Sequence, residues 1–428
     1  VSISLGGIYG LERIAQDSPG RNHGQVIEVL AAYVREMARW EPDHRTKGLV
    51  EPAQMPTNIQ AILTVLGRRN PLTEPRDQVL DLSNSDLAGA DLSHGHFERA
   101  DFEGSNLAGA DLVESSLSRA RLRRAYLGGA KAVRADLHGA DLQEAWIIDS
   151  DLSFSQLVEA NLSESHLERA VLTEAHLERS DLSLAHLEGA RLWKSHLQGA
   201  NLQGASIEKA QCQYVDLTQT NLAGANLTST DLTGSHGQRS HLEEAVLRCA
   251  RLDDSYYESA YFTGADLSHA SLNGAHCRGA VMNNASLDGA SIMNADLDEA
   301  NLTDSHLVDA NLKGSTLKRA ELFQARLDRA NLEGASLEGA HLEASDLTGA
   351  NLKNADLTGA HLERAHLEGA NLAGANLREA RLEKANLRDV IGLTNDQLEM
   401  AIIDQATVLP HYLNLTPQRS PSLPAANQ

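Results

Sequence analysis

A five-residue period constrains this chain more than any other feature. Every fifth residue from Leu82 to Leu387 gives 62 positions, and 50 of them are leucine. Two residues earlier, from Leu80 to Ala385, 57 of 62 positions are alanine or serine. The register has no insertion or deletion, and the unit reads Ala-(Asp/Asn)-Leu-X-X, as in Ala110-Asp111-Leu112 and Ala350-Asn351-Leu352. An amphipathic helix needs apolar positions near every 3.6 residues, and a half-buried strand near every two. A strict five fits neither. It fits a solenoid that turns one corner per unit, with one large and one small residue pointing inward on each side. Leucine and alanine then fill the axis and leave no groove for a substrate.

The unit, repeated through Ala160-Asn161-Leu162 and Ala370-Asn371-Leu372, resembles that of the pentapeptide-repeat family over almost three quarters of the chain. The resemblance implies an all-β solenoid over residues 80–389, a right-handed quadrilateral β-helix with four pentapeptides per coil. Residues 20 apart would then stack, giving about 15 coils and, at roughly 4.8 Å per stacked strand, a rod on the order of 70–75 Å long.

The flanks are different in kind. Residues 7–16, 23–40 and 58–66 carry apolar residues at helical spacing, the last with Thr57 as its cap and Gly67 as its stop; Pro52 and Pro56 break the chain before it. They predict a small N-terminal helical bundle over residues 1–70, joined by a linker, 71–79. This segment resembles the helical region before the repeats in actinobacterial members, which often have membrane helices further upstream. An open β-helix end exposes unpaired backbone and templates aggregation unless covered. The bundle is the expected front cover. Behind the repeat, Thr394-Asn395-Asp396-Gln397 is a capping box that starts a helix through Leu398, Ala401 and Ile402, within a C-terminal cap over 390–413. Pro417, Pro421 and Pro424 among serines predict disorder over 414–428.

Net charge is -22, and the repeat carries it: residues 80–389 hold 47 acids against 27 bases, while residues 1–79 are balanced at nine and nine. Such a surface excludes direct nucleic-acid binding, which depends on lysine and arginine. Acids at outward positions also serve solubility. Of three cysteines, Cys212 and Cys277 take the inward leucine position and Cys249 faces outward, which is no disulfide framework. Reduced thiols and the lack of a signal peptide point to the cytoplasm. No apolar run approaches the 18 or so residues of a membrane span.

Departures from the repeat carry the remaining information. In one inward column Leu217 is followed by Gly237, Tyr257 and Cys277, so the tyrosine ring is expected to fill the space the glycine leaves. A ligand cavity is the alternative. On the surface, Tyr126 and Trp146 stack 20 residues apart where Asp or Asn is usual, and Ile148, Phe154 and Trp193 are outward too. Arg119, Arg121, Arg123, Arg124, Lys131 and Arg134 crowd the same coils. Trp, Tyr and Arg together mark interface anchors, although a few scattered exposed aromatics are normal. Glu168, Glu188 and Glu208 form one acidic ladder and Glu343, Glu363 and Glu383 another. His166 stacks on His186 and His176 on His196, while His341 and His361 lie two residues before Glu343 and Glu363. With nothing converging on these rings from a second direction, the repeat itself accounts for them, and neither a metal nor a cofactor is expected.

No phosphate loop, nucleophile elbow or His-Glu-x-x-His spacing is present in the sequence. A convex rod does not exclude water from its acids and bases, so an enzyme is not expected. The family resemblance implies an interaction protein. Several members bind type II topoisomerases through acidic rods that imitate DNA, and some protect the enzyme from inhibitors. That implies DNA gyrase or topoisomerase IV as a basic partner, with a homodimer through the C-terminal cap. The uninterrupted register lacks the projecting loops on which quinolone-protecting members depend. The alternative is a scaffold or spacer that presents the Tyr126–Trp146 patch, membrane-associated through an upstream segment.

Overall fold

The computed structural model describes residues 4–17, 22–40, 55–70, 74 and 78–413. Pro52, part of the 71–79 linker and the proline-containing tail from 414 lie outside the described residues. The chain divides into two compact units, residues 1–230 and 231–428.

The first unit opens with three helices, α1 (Leu5–Asp17), α2 (His23–Met37) and α3 (Thr57–Gly67), each packed on the other two. Their shared core is Ile8, Ile27, Leu30, Val34, Ile59, Ile62 and Leu66, all buried. Two boundaries differ from the helical spacing. Thr57 is the first helical residue and not its cap; Pro56 takes the cap position and no side chain closes it. The second helix stops at Met37, because the next residues pair with the repeat instead. Arg39 bridges Ser85 antiparallel, and the Trp40 amide donates to Asn84 O at 2.7 Å. The His96 amide donates to Gly67 O at 2.8 Å, and the buried Arg69 guanidinium donates to His96 O (2.9 Å), Glu98 O (2.6 Å) and Glu74 (2.9 Å). These contacts occupy backbone groups that the first coil would otherwise leave open.

From residue 80 each pentapeptide makes one short bridge and one turn. Bridges join residues 20 apart in parallel, Asp81 to Asp101 and Asp101 to Arg121 in the first unit, Asp231 to Arg251 and Arg251 to Ser271 in the second. Four pentapeptides therefore complete a coil within each unit. The turn follows leucine: the Ala90 amide donates to Leu87 O at 3.0 Å around Ala88 and Gly89. Every second X residue, from Asn84 to Asp389, has positive φ, which is the type II geometry. Many of these residues are not glycine, so each costs about 1–2 kcal/mol that the ladder offsets.

The other positions have equally local reasons. Asp or Asn precedes leucine because its side chain accepts the amide two residues on, as Asp81 Oδ1 does from Ser83 N at 3.0 Å. Asn side chains also ladder between coils, Asn221 donating to Asn201 and Asn351 to Asn331, both at 3.0 Å. Many of the serines that replace alanine turn the hydroxyl to a carbonyl, as Ser165 reaches Leu162 O at 2.6 Å; Ser235 meets the Tyr257 hydroxyl instead, and Ser155 Oγ has no hydrogen-bond partner among the described residues. Inward leucines and alanines are buried throughout both units.

In the second unit the ring of Tyr257 fills the space beside Gly237. A Cβ added to that glycine would lie 2.0 Å from Tyr257 Cε1. The Tyr257 hydroxyl lies 3.1 Å from Ser235 Oγ, and both side chains are buried. Cys212 and Cys277 are buried and Cys249 is exposed; burial pushes the Cys277 thiol up to about 12.

The last coil is wider than the rest. Bridges lengthen from 20 residues (Asn371 to Ile391) to 21 (Arg381 to Ile402) and 22 (Asn386 to Val408). The first extra residue falls in the segment of α4 (Asn395–Glu399), whose Thr394–Gln397 capping box is complete in both directions, and the second falls between Ile402 and Val408. The helix ends at Glu399 and does not run through Ile402, because Ile402 pairs with Arg381 as the next ladder residue. Gln397 does more than cap. Its Nε2 donates to Leu372 O at 2.9 Å and Ala375 O at 2.8 Å, closing carbonyls that no further coil covers. Gln397→Ala is expected to lower stability by about 1–2 kcal/mol, since two buried acceptors lose their donor. A thermal melt checks it.

Candidate interaction face

One side of the first unit gathers most of the residues singled out from the sequence. Its bridge column runs Asp86, Asn106, Tyr126, Trp146, His166, His186 and Ser206. Coil stacking sets neighbouring side chains about 5 Å apart, so flat rings in one column must lie face to face. Tyr126 and Trp146 are parallel within 7° at 6.1 Å, Trp146 and His166 within 15° at 3.9 Å, and His166 and His186 within 3° at 4.8 Å. Trp40, from the helical region, meets Tyr126 edge-on at 6.2 Å. The result is a five-ring ladder. Beside it lies an open depression of about 770 Å³ lined by Arg124, Tyr126, Glu144, Trp146, His166 and His186.

Ile148, Glu168, Glu188 and Glu208 follow this column two residues on, so they share the side. Phe154 and Trp193 do not. They belong to the pentapeptides of Asp151 and Arg191, whose column forms the next side. There Arg134 lies over the Phe154 ring at 5.6 Å and Lys194 over Trp193 at 4.3 Å. Phe154 and Trp193 are exposed, while Tyr126 and Trp146 are half-buried by their stack. Glu343, Glu363 and Glu383 form a ladder of the second unit.

Charges are paired from coil to coil. Arg124 donates to Glu144 at 2.9 and 3.2 Å, and that hydrogen bond holds the Glu144 carboxyl below its ordinary range. Arg121 meets Asp101 and Glu103, and Arg134 meets Glu114. Four of the six bases in the cluster read from the sequence, Arg121, Arg123, Arg124 and Arg134, are therefore held in ion pairs. In the acidic ladders, Lys209 contacts Glu208 at 2.6 Å and Arg381 contacts Glu363 at 3.0 Å. Burial alone would raise Glu168, but hydrogen bonds from His166 and backbone, with the charges of both histidines, hold it low.

The ladder's extent beyond Tyr126 and Trp146 was readable, since 126, 146, 166 and 186 are successive steps of 20. Trp40 gave no such signal, because it lies outside the repeat.

Buried leucines and alanines inside each unit, with side-chain ladders on the outer sides, define a repeat protein. The chain belongs to the pentapeptide repeat family: the model "Pentapeptide repeats (8 copies)" matches nine segments that cover residues 81–256 and 260–391. Family membership makes the solenoid a right-handed quadrilateral β-helix. Among solved structures, it is similar to HetL, a pentapeptide repeat protein involved in heterocyst differentiation regulation from the cyanobacterium Nostoc sp.. That match has 30% identity over 58% of this chain and 89% of that one, with a TM-score of 0.26. It is also similar to QnrB1, a plasmid-mediated fluoroquinolone resistance protein, at 14% identity over 51% of this chain and 90% of that one, TM-score 0.28. A third is a pentapeptide repeat protein from the Arabidopsis thaliana thylakoid lumen, at 29% identity over 28% and 72%, TM-score 0.12. No curated protein matches the chain with significance. Among the described residues no helix is long and apolar enough to cross a membrane.

Proposed function

We propose that the chain is a non-enzymatic, cytoplasmic interaction protein whose acidic repeat surface engages a basic, DNA-binding surface of a type II topoisomerase, DNA gyrase or topoisomerase IV. In this reading it imitates DNA and shields the enzyme from inhibitors. The observation that carries it is the acid excess left after pairing. With 47 acids against 27 bases in the repeat, bases such as Arg124, Arg169 and Arg329 are already spent on Glu144, Asp149 and Asp309. What remains for a partner is negative. The helical region of residues 1–70 serves as the front cover and residues 390–413 as the rear one. At the rear, exposed Ile391, Met400, Ile402 and Val408 offer a face for a homodimer; a monomeric mass by light scattering would refute that contact.

A second reading, a scaffold that docks a partner on the Tyr126–Trp146 side, is favoured by the even coil-to-coil pairing of charge and by the ring ladder. One assay separates the two. In gyrase supercoiling, DNA mimicry gives inhibition that fades with salt, because opposed charges are screened within about 8–10 Å at physiological ionic strength. Changing Glu168, Glu188 and Glu208 together to Lys should weaken inhibition far more than Trp146→Ala. Loss of binding in Trp146→Ala alone would assign the partner to the ring ladder. No inhibition, no protection and no binding at low salt would sink mimicry.

A further inference from the structure

We propose that two His-Glu-His constellations, His341 with Glu343 and His361 in the second unit and His166 with Glu168 and His186 in the first, each hold a divalent cation of the zinc class. Stacked imidazoles alone do not converge on a point. The carboxylate two residues after the first ring supplies the missing direction. Glu343 Oε1 lies 3.2 Å from His341 Nδ1 and 3.8 Å from His361 Nδ1. Zinc bonds of about 2.0–2.1 Å in a tetrahedral arrangement set ligand atoms roughly 3.3 Å apart, so this trio is already near coordination spacing. In the first unit Glu168 Oε1 lies 3.1 Å from His166 Nδ1. In each constellation all three ligand atoms lie within 4.8 Å of one another, and among the described residues only these two groups gather so.

The local geometry ranks the two. An ion lies in the plane of every imidazole that binds it, so perfectly parallel rings must turn before both can ligate. His166 and His186 are parallel within 3° at 4.8 Å, whereas His341 and His361 are already tilted by 23° at 4.5 Å. The second-unit site should therefore bind more tightly. Glu363 Oε1 also lies 3.8 Å from His361 Nδ1, but it is held at 3.0 Å by Arg381 Nε, so the fourth position is assigned to water. Two nitrogens and one carboxylate select a zinc-like ion over magnesium or calcium, which prefer all-oxygen shells. Each ion would clip together coils 20 residues apart and stabilise them by mass action. The same sequence spacing occurs at His176, Glu178 and His196, whose ligand atoms do not gather, and that trio is expected to bind nothing.

The test uses the full chain, free of any affinity tag and stripped with a chelator, titrated calorimetrically with zinc chloride in millimolar magnesium. The parent should bind two ions. His361→Gln should abolish the tighter site, His186→Gln the weaker one, and His196→Gln should leave both. Glu343→Gln removes only a carboxylate charge and keeps the fold, and should weaken the tighter site at least tenfold. The proposal is overturned if the parent binds no zinc, if magnesium displaces it, or if Glu343→Gln and His361→Gln bind as the parent does.

Discussion

Leu167→Asp is expected to open the first unit around its substitution. Leu167 is wholly buried, with Ile147 and Leu187 above and below it in the same inward column. A carboxylate placed there stands in a column of buried aliphatic side chains. The effective penalty for a buried ion is several kcal/mol, against about 5–15 kcal/mol for a whole domain. Coils touch only their neighbours, so a solenoid fails locally first. Limited proteolysis should cut between roughly residues 147 and 187, and the melting temperature should fall by many degrees. Leu184→Asp, at a position 57% exposed in the same coils, is the control and should melt as the parent does. Parent-like melting of both variants would show that the leucine column does not lie inside.

The contrast between those two leucines is legible in the sequence, because the period alone assigns Leu167 inward and Leu184 to a turn. What the period cannot assign is anything that comes from outside it. Trp40 joins the ring ladder through a backbone pairing with Asn84, and no spacing relates residue 40 to residue 126. The ends of α2 and α4 moved for the same reason. Trp40 and Ile402 both fit a helical pattern, but each finds an open ladder edge to complete, and pairing with it satisfies backbone groups that would otherwise stay bare. Side assignments follow from steps of 20 and not from nearness in the chain. Trp146 and Phe154 are eight residues apart yet lie on different sides, while Arg124 and Glu144 are 20 apart and share a bidentate pair. The pairing of Arg121, Arg124 and Arg134 with acids one step of 20 away was thus available from the same arithmetic that gave the Tyr126–Trp146 stack. The His-Glu-His groups were less so. Three copies of the spacing look alike in sequence, and only side-chain directions separate two of them from the third.

The exchange between Gly237 and Tyr257 makes the packing argument quantitative. Gly237→Leu restores the consensus at its own position, yet its first added atom would already lie 2.0 Å from Tyr257 Cε1. The ring is fully buried, stands 5.5 Å from the Phe262 ring and has its hydroxyl beside Ser235, so it has nowhere to retreat. Overpacking of this kind costs roughly 1–3 kcal/mol. Tyr257→Leu should also destabilise, in this case by leaving space beside Gly237 and an unpartnered Ser235 hydroxyl. The double variant, Gly237→Leu with Tyr257→Leu, replaces one ring and one gap with two ordinary leucine layers. It should be more stable than either single variant, with a coupling of about 1–3 kcal/mol in the favourable direction, as expected for residues in direct contact. Denaturant melts of the four proteins measure that coupling. Additive single effects would show that the ring and the glycine do not share one space, and a higher midpoint for Gly237→Leu alone would show that a cavity stood there instead.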